Sequence, residues 1–534
     1  MEKRVLLATV VSVLIIIGWT VISRPRRTAP LAPGQGAVET AAEEPVSGGG
    51  MQSRLTASSK APRGTAGRKS RTAECRDYTL ENENWKIVFN SLGASVRHWY
   101  LKEGDDESKW PDLVLDPDGE NMATYPDEVF SMDSRKAGMD GMQSVSFSAL
   151  VDGNMEVVKT YEISDDCRIN NLVIDVTARK NMDIPVELSW GPGLGSDIGS
   201  RKEESRMCRV KAMQKGDRKV KKLKPNTYGS ADYSWLGIDN RYFTVSFLDI
   251  SGFRDVYISK SKAQGSFKIT LSREIKADAG RTETVEVPFY AGIKQYEKLK
   301  ELGYDIDRIV SFGIFAPIGR FFLKLLKTFY GWTGNFGVAI IMLTVLIQCF
   351  TFPLTLKSFE SSKAMRAVQP KMKELQEKFK SDPKRLNTEI MHLYKTHKVN
   401  PLGGCLPMLL QLPIFWALFA TLRGTYELRG APFVLWIKDL SSPDLLFSIS
   451  GIPVRVLPLL MGVSMFLQQK VSGAGTDPSQ KTMMYMMPVI FTIIFMNFPS
   501  GLVLYWLVNS VLVTGLQFYI LKKSDKSKQS PLTA

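Results

Sequence analysis

Histidine and cysteine are scarce in this chain. Its 534 residues hold three histidines, His98, His392 and His397, and five cysteines, Cys75, Cys167, Cys208, Cys349 and Cys405. No CxxC pair occurs and no histidine clusters with cysteine or carboxylate, which argues against a structural zinc or a thioredoxin-like site. Three of the cysteines fall in the hydrophilic part of the chain, which allows one disulfide and an odd thiol. A Walker A loop is missing, so ATP-driven transport by this chain alone is disfavoured. The long apolar runs carry no ionisable residue near their midpoints. An intramembrane protease would need a histidine or paired carboxylates at that depth, and a coupled ion transporter would bury a charge there. No inverted repeat is visible either. No cofactor or metal is expected, and no covalent chemistry.

What is present is positive charge and unevenly placed apolar sequence. Lys and Arg number 69 against 54 Asp and Glu, a net +15. That excess suits a phosphate-rich partner, either anionic lipid or nucleic acid. The hydrophobic share, 44 %, is ordinary, but it gathers near the amino terminus and in the last 200 residues or so.

Met1-Glu2-Lys3-Arg4 precedes an apolar run from Val5 to Ile22. Eighteen helical residues rise about 27 Å, close to the hydrocarbon thickness. Trp19 lies at the far edge and Arg24, Arg26 and Arg27 follow, so residues 1–22 read as an uncleaved anchor rather than a signal peptide. Residues 23–74, rich in Pro, Ala, Gly, Ser, Thr and Arg without periodicity, read as a disordered linker. Residues 75–305 carry short alternating runs such as Trp85-Lys86-Ile87-Val88-Phe89 and Leu172-Val173-Ile174-Asp175-Val176, separated by turns such as Asp152-Gly153-Asn154. That spacing predicts an all-β sandwich. Arg201–Lys224 holds eleven Lys and Arg with no interleaved aromatics, and reads as a solvated hairpin or loop.

Residues 315–332 predict an interfacial amphipathic helix: Arg320, Lys324 and Lys327 recur at i, i+4, i+7, with Phe322, Leu325, Leu326 and Phe329 between them. Five further spans follow within 335–521, at 338–352, 406–422, 454–467, 483–498 and 502–521, making six with the anchor. A charged helical hairpin occupies 357–400, and 522–534 is a tail. Lys357–Lys398 holds eleven basic and five acidic residues. Lys470, Lys481, Lys522 and Lys523 lie on the same side, against Arg423, Arg429, Lys438 and Arg455 on the other. The positive-inside rule then puts both termini and the hairpin in the cytoplasm and the β domain outside. The local bias of Arg24, Arg26 and Arg27 over Lys3 and Arg4 runs the other way, and the larger count decides.

Uncharged polar residues recur inside the spans. Thr344, Gln348, Thr351 and Thr355 share one helical face. Gln411 lies in the next span, and Tyr505, Asn509, Ser510, Thr514 and Gln517 in the last. Gln348 stands five residues before Pro353, about 7 Å from the cytoplasmic end. Such side chains avoid lipid. Both a sealed bundle glued by interhelical hydrogen bonds and a wet groove in the inner half of the membrane satisfy the pattern.

Several motifs in order resemble the YidC/Oxa/Alb membrane protein insertases: Phe352-Pro353-Leu354-Thr355, Asn400-Pro401-Leu402-Gly403-Gly404-Cys405, Gln411-Leu412-Pro413-Ile414-Phe415, Leu428-Arg429-Gly430-Ala431-Pro432-Phe433, Asp439-Leu440-Ser441 and Phe498-Pro499-Ser500-Gly501-Leu502. Trp190-Gly191-Pro192-Gly193-Leu194-Gly195 resembles the outer domain of the Gram-negative members. The resemblance is dense over 315–521 and sparser over 76–300. It implies a polytopic α-helical membrane protein with a five-helix insertase core around a hydrophilic groove, and an all-β periplasmic super-sandwich domain. It implies nascent membrane proteins, the Sec translocon, the ribosome and membrane lipids as partners, and no small-molecule substrate. Groove residues under this reading are Thr344, Gln348, Gln411, Tyr505, Trp506, Asn509 and Thr514; cytoplasmic contacts are Lys363, Arg366, Lys371 and Lys373. Family members commonly carry an arginine in the groove, and Gln348 stands in its place. A transporter or channel using the same polar faces is the alternative, and a scaffold recruiting periplasmic partners a third.

Overall fold

The computed structural model describes residues 75–137, 141–195, 208–230, 232–260, 266–397, 399, 406–449, 452–472 and 478–529. The expected anchor and linker, 1–74, and the Asn400–Cys405 motif lie outside them.

Alternation builds the β domain. In Asn170–Ala178 every second residue, Leu172, Ile174, Val176 and Ala178 among them, is buried, while those between stay half-buried. A strand with that period has one face for a core and one for water. Nine strands form an antiparallel sheet in the order 220–223, 209–214, 233–239, 243–248, 282–293, 170–178, 155–164, 142–151, 131–137. A four-stranded sheet (227–230, 255–260, 267–277, 182–190) and a three-stranded one (77–81, 85–90, 95–101) complete it. All three sheets give residues to one core: Ile87 and Phe89, Ile174 and Phe289, Leu188, Trp190 and Leu271. Trp190 donates through Nε1 to the Gly193 carbonyl at 2.9 Å. The chain after it folds so closely on its neighbours that a Cβ on Gly195 would press into the Asp112 and Val114 carbonyls.

Three lysines, Lys159, Lys211 and Lys294, go inward. Lys159 is fully buried, and its Nζ donates to the carbonyls of Ala94 (3.0 Å), Gly93 (3.3 Å) and Met122. An ammonium has three donors, and three carbonyls meet them. Those carbonyls belong to two loops in which Ala94 and Met122 take left-handed backbone, φ 42° and 56°. The second, Lys211, lies in the basic segment expected to be solvated. Its described part forms a hairpin, 209–214 with 220–223, on the edge of the large sheet, whose placement turns Lys211 inside. There Nζ reaches Asp239 Oδ2 at 2.8 Å and the Ile309 carbonyl at 2.9 Å, while Lys294 Nζ takes the same carboxylate oxygen at 2.7 Å. Cys75, Cys167 and Cys208 are all free thiols. Burial, reinforced by Asp239, pushes the Cys208 thiol up to about 12.

Past Ile293 the chain turns helical, beginning with the short α1 (Tyr296–Glu301). Helix α2 (Ala316–Thr333) buries Phe322, Leu323, Leu326 and Phe329, a single face, and ends where Gly334 takes φ 64°. Asn335 then caps α3 (Phe336–Lys378), its Oδ1 accepting from the Gly337 and Val338 amides at 2.8 and 3.1 Å. Helix α3 runs 43 residues without a break through Pro353 and Pro370, whereas the sequence reading parted span from hairpin near residue 357. A proline removes one ladder bond and bends a helix without having to end it. Helix α4 (Pro383–Thr396) folds back along the end of α3, with Tyr394 Oη 3.3 Å from Met372 Sδ. Helices α5 (Leu406–Gly424), α6 (Val456–Ser472), α7 (Pro478–Phe495) and α8 (Ser500–Gln529) complete the bundle. Its core joins Leu326, Ile340, Leu343, Leu418, Met461 and Leu502. By length and composition Phe336–Met365 and Ser500–Ile520 can each cross a membrane, and Val456–Val471 and Tyr485–Phe495 are shorter apolar helices.

The β domain meets the bundle through the segment after α5. Arg241 donates from Nε to the Arg423 carbonyl (2.8 Å) and from Nη2 to the Ser441 carbonyl (2.5 Å). Arg429 pairs with Glu103, and Gln295 Nε2 reaches Glu427 Oε1 at 2.9 Å. Lys327 of α2 bridges Glu297 (2.6 Å) and Glu427 (2.5 Å). The Tyr426 ring stands edge-on to Tyr242 and Phe243.

Candidate functional site

The polar stripe of α3 resolves into two kinds of residue. Its threonines are satisfied by their own helix: Thr344 Oγ1 donates to the Ile340 carbonyl (2.7 Å), Thr351 to Ile347 (3.0 Å) and Thr355 to Thr351 (3.0 Å). A hydroxyl spent on the carbonyl four residues back needs no partner elsewhere. Thr344 is also fully buried, so it backs the stripe without lining an opening. Gln348 is the member that reaches across, its Nε2 donating to Asn509 Oδ1 on α8 while its Oε1 lies 3.3 Å from Thr351 Oγ1. Both amides are half-buried.

Helix α8 is the hub. One turn before Asn509, and so on the same face, Tyr505 Oη accepts from Gln411 Nε2 of α5. One residue after Asn509, Ser510 Oγ donates to Gln468 Oε1 of α6 at 2.9 Å. Three neighbours are thus tied to α8 by neutral hydrogen bonds. Gln411, Gln348 and Asn509 keep part of their surface open, while the Tyr505 side chain is enclosed. Thr514 continues the line one turn on, half-buried and bonded back to the Ser510 carbonyl at 2.7 Å. Trp506 does not join it. Its ring packs with Phe415 (5.4 Å), Phe491 (5.6 Å) and Phe495 (5.4 Å), an aromatic wall beside the polar line. Gln468 escaped the sequence reading because the expected span stopped at Leu467; its own polarity was the available signal.

No Asp, Glu, Lys or Arg falls between Phe336 and Leu356 or between Ser500 and Leu521. The line therefore offers donors and acceptors without net charge. The basic contacts stand apart from it. Lys363 lies fifteen residues beyond Gln348 on the same helix, about 22 Å along its axis. Lys371 and Lys373 are exposed further on, Lys371 Nζ being 3.3 Å from His397 Nε2. The Arg366 side chain lies outside the described residues. Among the described residues no group of His, Cys, Asp and Glu is arranged to hold a metal ion.

Comparison with known proteins agrees along most of the length. The family described as 60Kd inner membrane protein matches residues 328–528, and the YidC periplasmic domain family matches 78–325. The membrane protein insertase YidC of Endomicrobium trichonymphae is 40 % identical over 448 residues, covering 83 % of this chain and 85 % of its own. That of Pelobacter propionicus is 35 % identical, covering 98 % of this chain and 99 % of its own. A crystal structure of an active YidC insertase with its first transmembrane domain resolved covers 83 % of this chain and 92 % of its own at 17 % identity, with a TM-score of 0.38. The chain belongs to the YidC family of membrane protein insertases, inner-membrane proteins with a periplasmic β domain and a helical carboxy-terminal region.

Proposed function

We propose that this chain moves nascent hydrophobic segments from the cytoplasm into the inner membrane through a hydrophilic groove along α3, α5 and α8, alone or with the Sec translocon. It does so without covalent chemistry and without a cofactor. The chain crosses the membrane six times with both termini in the cytoplasm. The ribosome docks on the cytoplasmic side, where Lys363, Arg366, Lys371 and Lys373 give positive charge to the approach. Domain limits are 1–22 for the anchor, 23–74 for the linker, 75–305 for the periplasmic domain, 315–332 for the interfacial helix and 335–521 for the core.

The observation that carries this reading is the neutral line on α8, Tyr505 with Gln411 and Asn509 with Gln348, in which the Gln411, Gln348 and Asn509 amides keep part of their surface open. A polar segment leading a nascent helix sheds water at a cost unless other groups replace its hydrogen bonds. Half-open amides and the water they hold supply those bonds inside the boundary of the membrane. The apolar helix behind it then moves into lipid, driven by about 25 cal/mol for each Å² of apolar surface taken from water. Half-buried Phe415, Phe491 and Trp506, packed on the buried Phe495, give that helix an apolar side to slide on.

Photo-crosslinking from positions 348, 411 and 509 to a stalled nascent single-span protein tests the groove. Adducts from all three are expected. Adducts found only on the membrane-distant face of the β domain would replace the groove with a scaffold. Deleting residues 76–300 should spare much of the insertion activity.

A further inference from the structure

The segment between α5 and α6 carries apolar residues where an aqueous loop would place polar ones. It makes a turn at 433–437, closed by Phe433 N to the Ile437 carbonyl at 3.0 Å and Ile437 N to the Val434 carbonyl at 3.2 Å. Val434 and Leu435 form its tip, and Leu435 is 85 % exposed. Leu435 also has φ 57°, a left-handed backbone that favours glycine or asparagine. Further on, Phe447–Ile449 pairs antiparallel with Ile452–Val454. Phe447 and Ile449 stand two residues apart, hence on one face of that hairpin, and both are more than half open, or nearly so, at 49 % and 59 %. Leu445 and Leu446 before them are exposed as well.

The position of this segment is fixed at both levels. It touches the periplasmic domain through Arg429 with Glu103 and through Arg241 with the Ser441 carbonyl, so it lies on the outer side of the membrane. It is also tied to the starts of three bundle helices. Asn335 Nδ2 at the head of α3 donates to the Phe433 carbonyl (3.2 Å), Asp444 Oδ2 accepts from the Leu457 amide in the first turn of α6 (2.9 Å), and the Gly501 amide of α8 donates to the Leu440 carbonyl (2.9 Å). A loop held at the outer ends of membrane helices stands at the headgroup boundary. Exposed Lys438 beside the tip suits lipid phosphate there.

We infer that this segment is a lipid-docking surface: the 433–437 turn and the 447–454 hairpin are immersed in the outer leaflet, with Leu435 and Phe447 below the headgroups. The inference goes beyond the insertase reading and does not depend on the groove. It assigns the occupant of the patch as lipid, because rigid anchoring to three helix starts sets its height at the bilayer surface and leaves its apolar side facing away from the bundle.

The test uses the full chain in vesicles of phosphatidylethanolamine and phosphatidylglycerol. With the five cysteines replaced, Leu435→Cys, Phe447→Cys and, as an aqueous control, Lys215→Cys are each labelled with a small environment-sensitive fluorophore. Nitroxide lipids labelled near the headgroup should quench positions 435 and 447 strongly and 215 hardly at all, at depths of about 5–10 Å below the surface. Aqueous iodide should do the reverse. Equal iodide access at all three positions would overturn the inference. So would labels shielded from both quenchers, with crosslinks from 435 or 447 to residues 1–74 or to a second copy. Photoreactive lipid carried out on the unsubstituted protein keeps the result independent of the substitutions: adducts should map to 433–449, and their absence from that stretch contradicts lipid docking.

Discussion

Replacing Gln348 by leucine removes the amide that reaches Asn509 and leaves that asparagine without its partner. Interhelical hydrogen bonds in membrane proteins are worth about 0.6 kcal/mol on average and up to about 1.7. If that loss falls on the step in which a polar segment occupies the line, insertion slows by roughly 3-fold to 20-fold. Asn509→Leu should act by a similar amount. The double variant separates the two structures that the polar stripe allows. A sealed bundle uses the pair as glue, so two leucines pack together and recover function. A groove uses the pair as solvation, so two leucines dry the site and insert worst of the three. The assay is protease protection of a small single-span protein added to proteoliposomes, with folding of each variant checked by its thermal unfolding. Wild-type insertion by Gln348→Leu, or recovery in the double variant, would refute the groove.

Other expectations follow from the β domain and its junction. Lys159→Met removes the charged donor shared by the Gly93, Ala94 and Met122 carbonyls and leaves them only Thr124 N and Tyr161 Oη; the lost bonds, partly offset by relief of the ammonium's desolvation, should destabilise the protein by about 1–3 kcal/mol, which denaturant unfolding measures. Burial first, and Lys211 after it, hold Lys294 below the ordinary lysine range against the pull of Asp239. The folded state therefore binds fewer protons than the unfolded chain between the lowered value and the ordinary lysine value of 10.5, and its stability rises with pH across that window. Lys294→Met should flatten that rise in unfolding midpoints, and an unchanged slope would assign it elsewhere. Arg429→Ala frees Glu103 and unstacks Tyr426, so limited proteolysis should cut between α1 and α2 faster than in the wild type, with thermal unfolding of the β domain unchanged.

The architecture was legible where periodicity is the cause of structure. Alternation at Leu172, Ile174 and Val176 is what makes that strand two-sided, and the spacing of Phe322, Leu326 and Phe329 is what gives α2 its buried face. Charge was a poorer guide. Lys211 lies in a segment that read as solvated, and only tertiary placement shows the carboxylate and the carbonyl that take it inside. Proline at 353 read as an end, yet α3 continues, because the local signal reports a lost bond and not the packing that carries the helix past it. Within the line of polar residues, Gln348, Asn509 and Gln411 were visible from type and spacing. Their pairing was not, since each bond joins residues 94 or 161 positions apart. Trp506 looked like part of that line by sequence alone, and its ring instead turns to the phenylalanines one face over.

The unbroken α3 puts Gln348 and the exposed Lys371 and Lys373 on one continuous helix. From Pro353 to Lys378 its arm measures about 37 Å, so a pivot of about 5° at the proline sweeps the far tip through about 3 Å. That bend would fall five residues from Gln348, so the arm and the amide pair share one short stretch of helix. Under the proposed function, a client held on that arm would bend α3 within two turns of the Gln348–Asn509 pair.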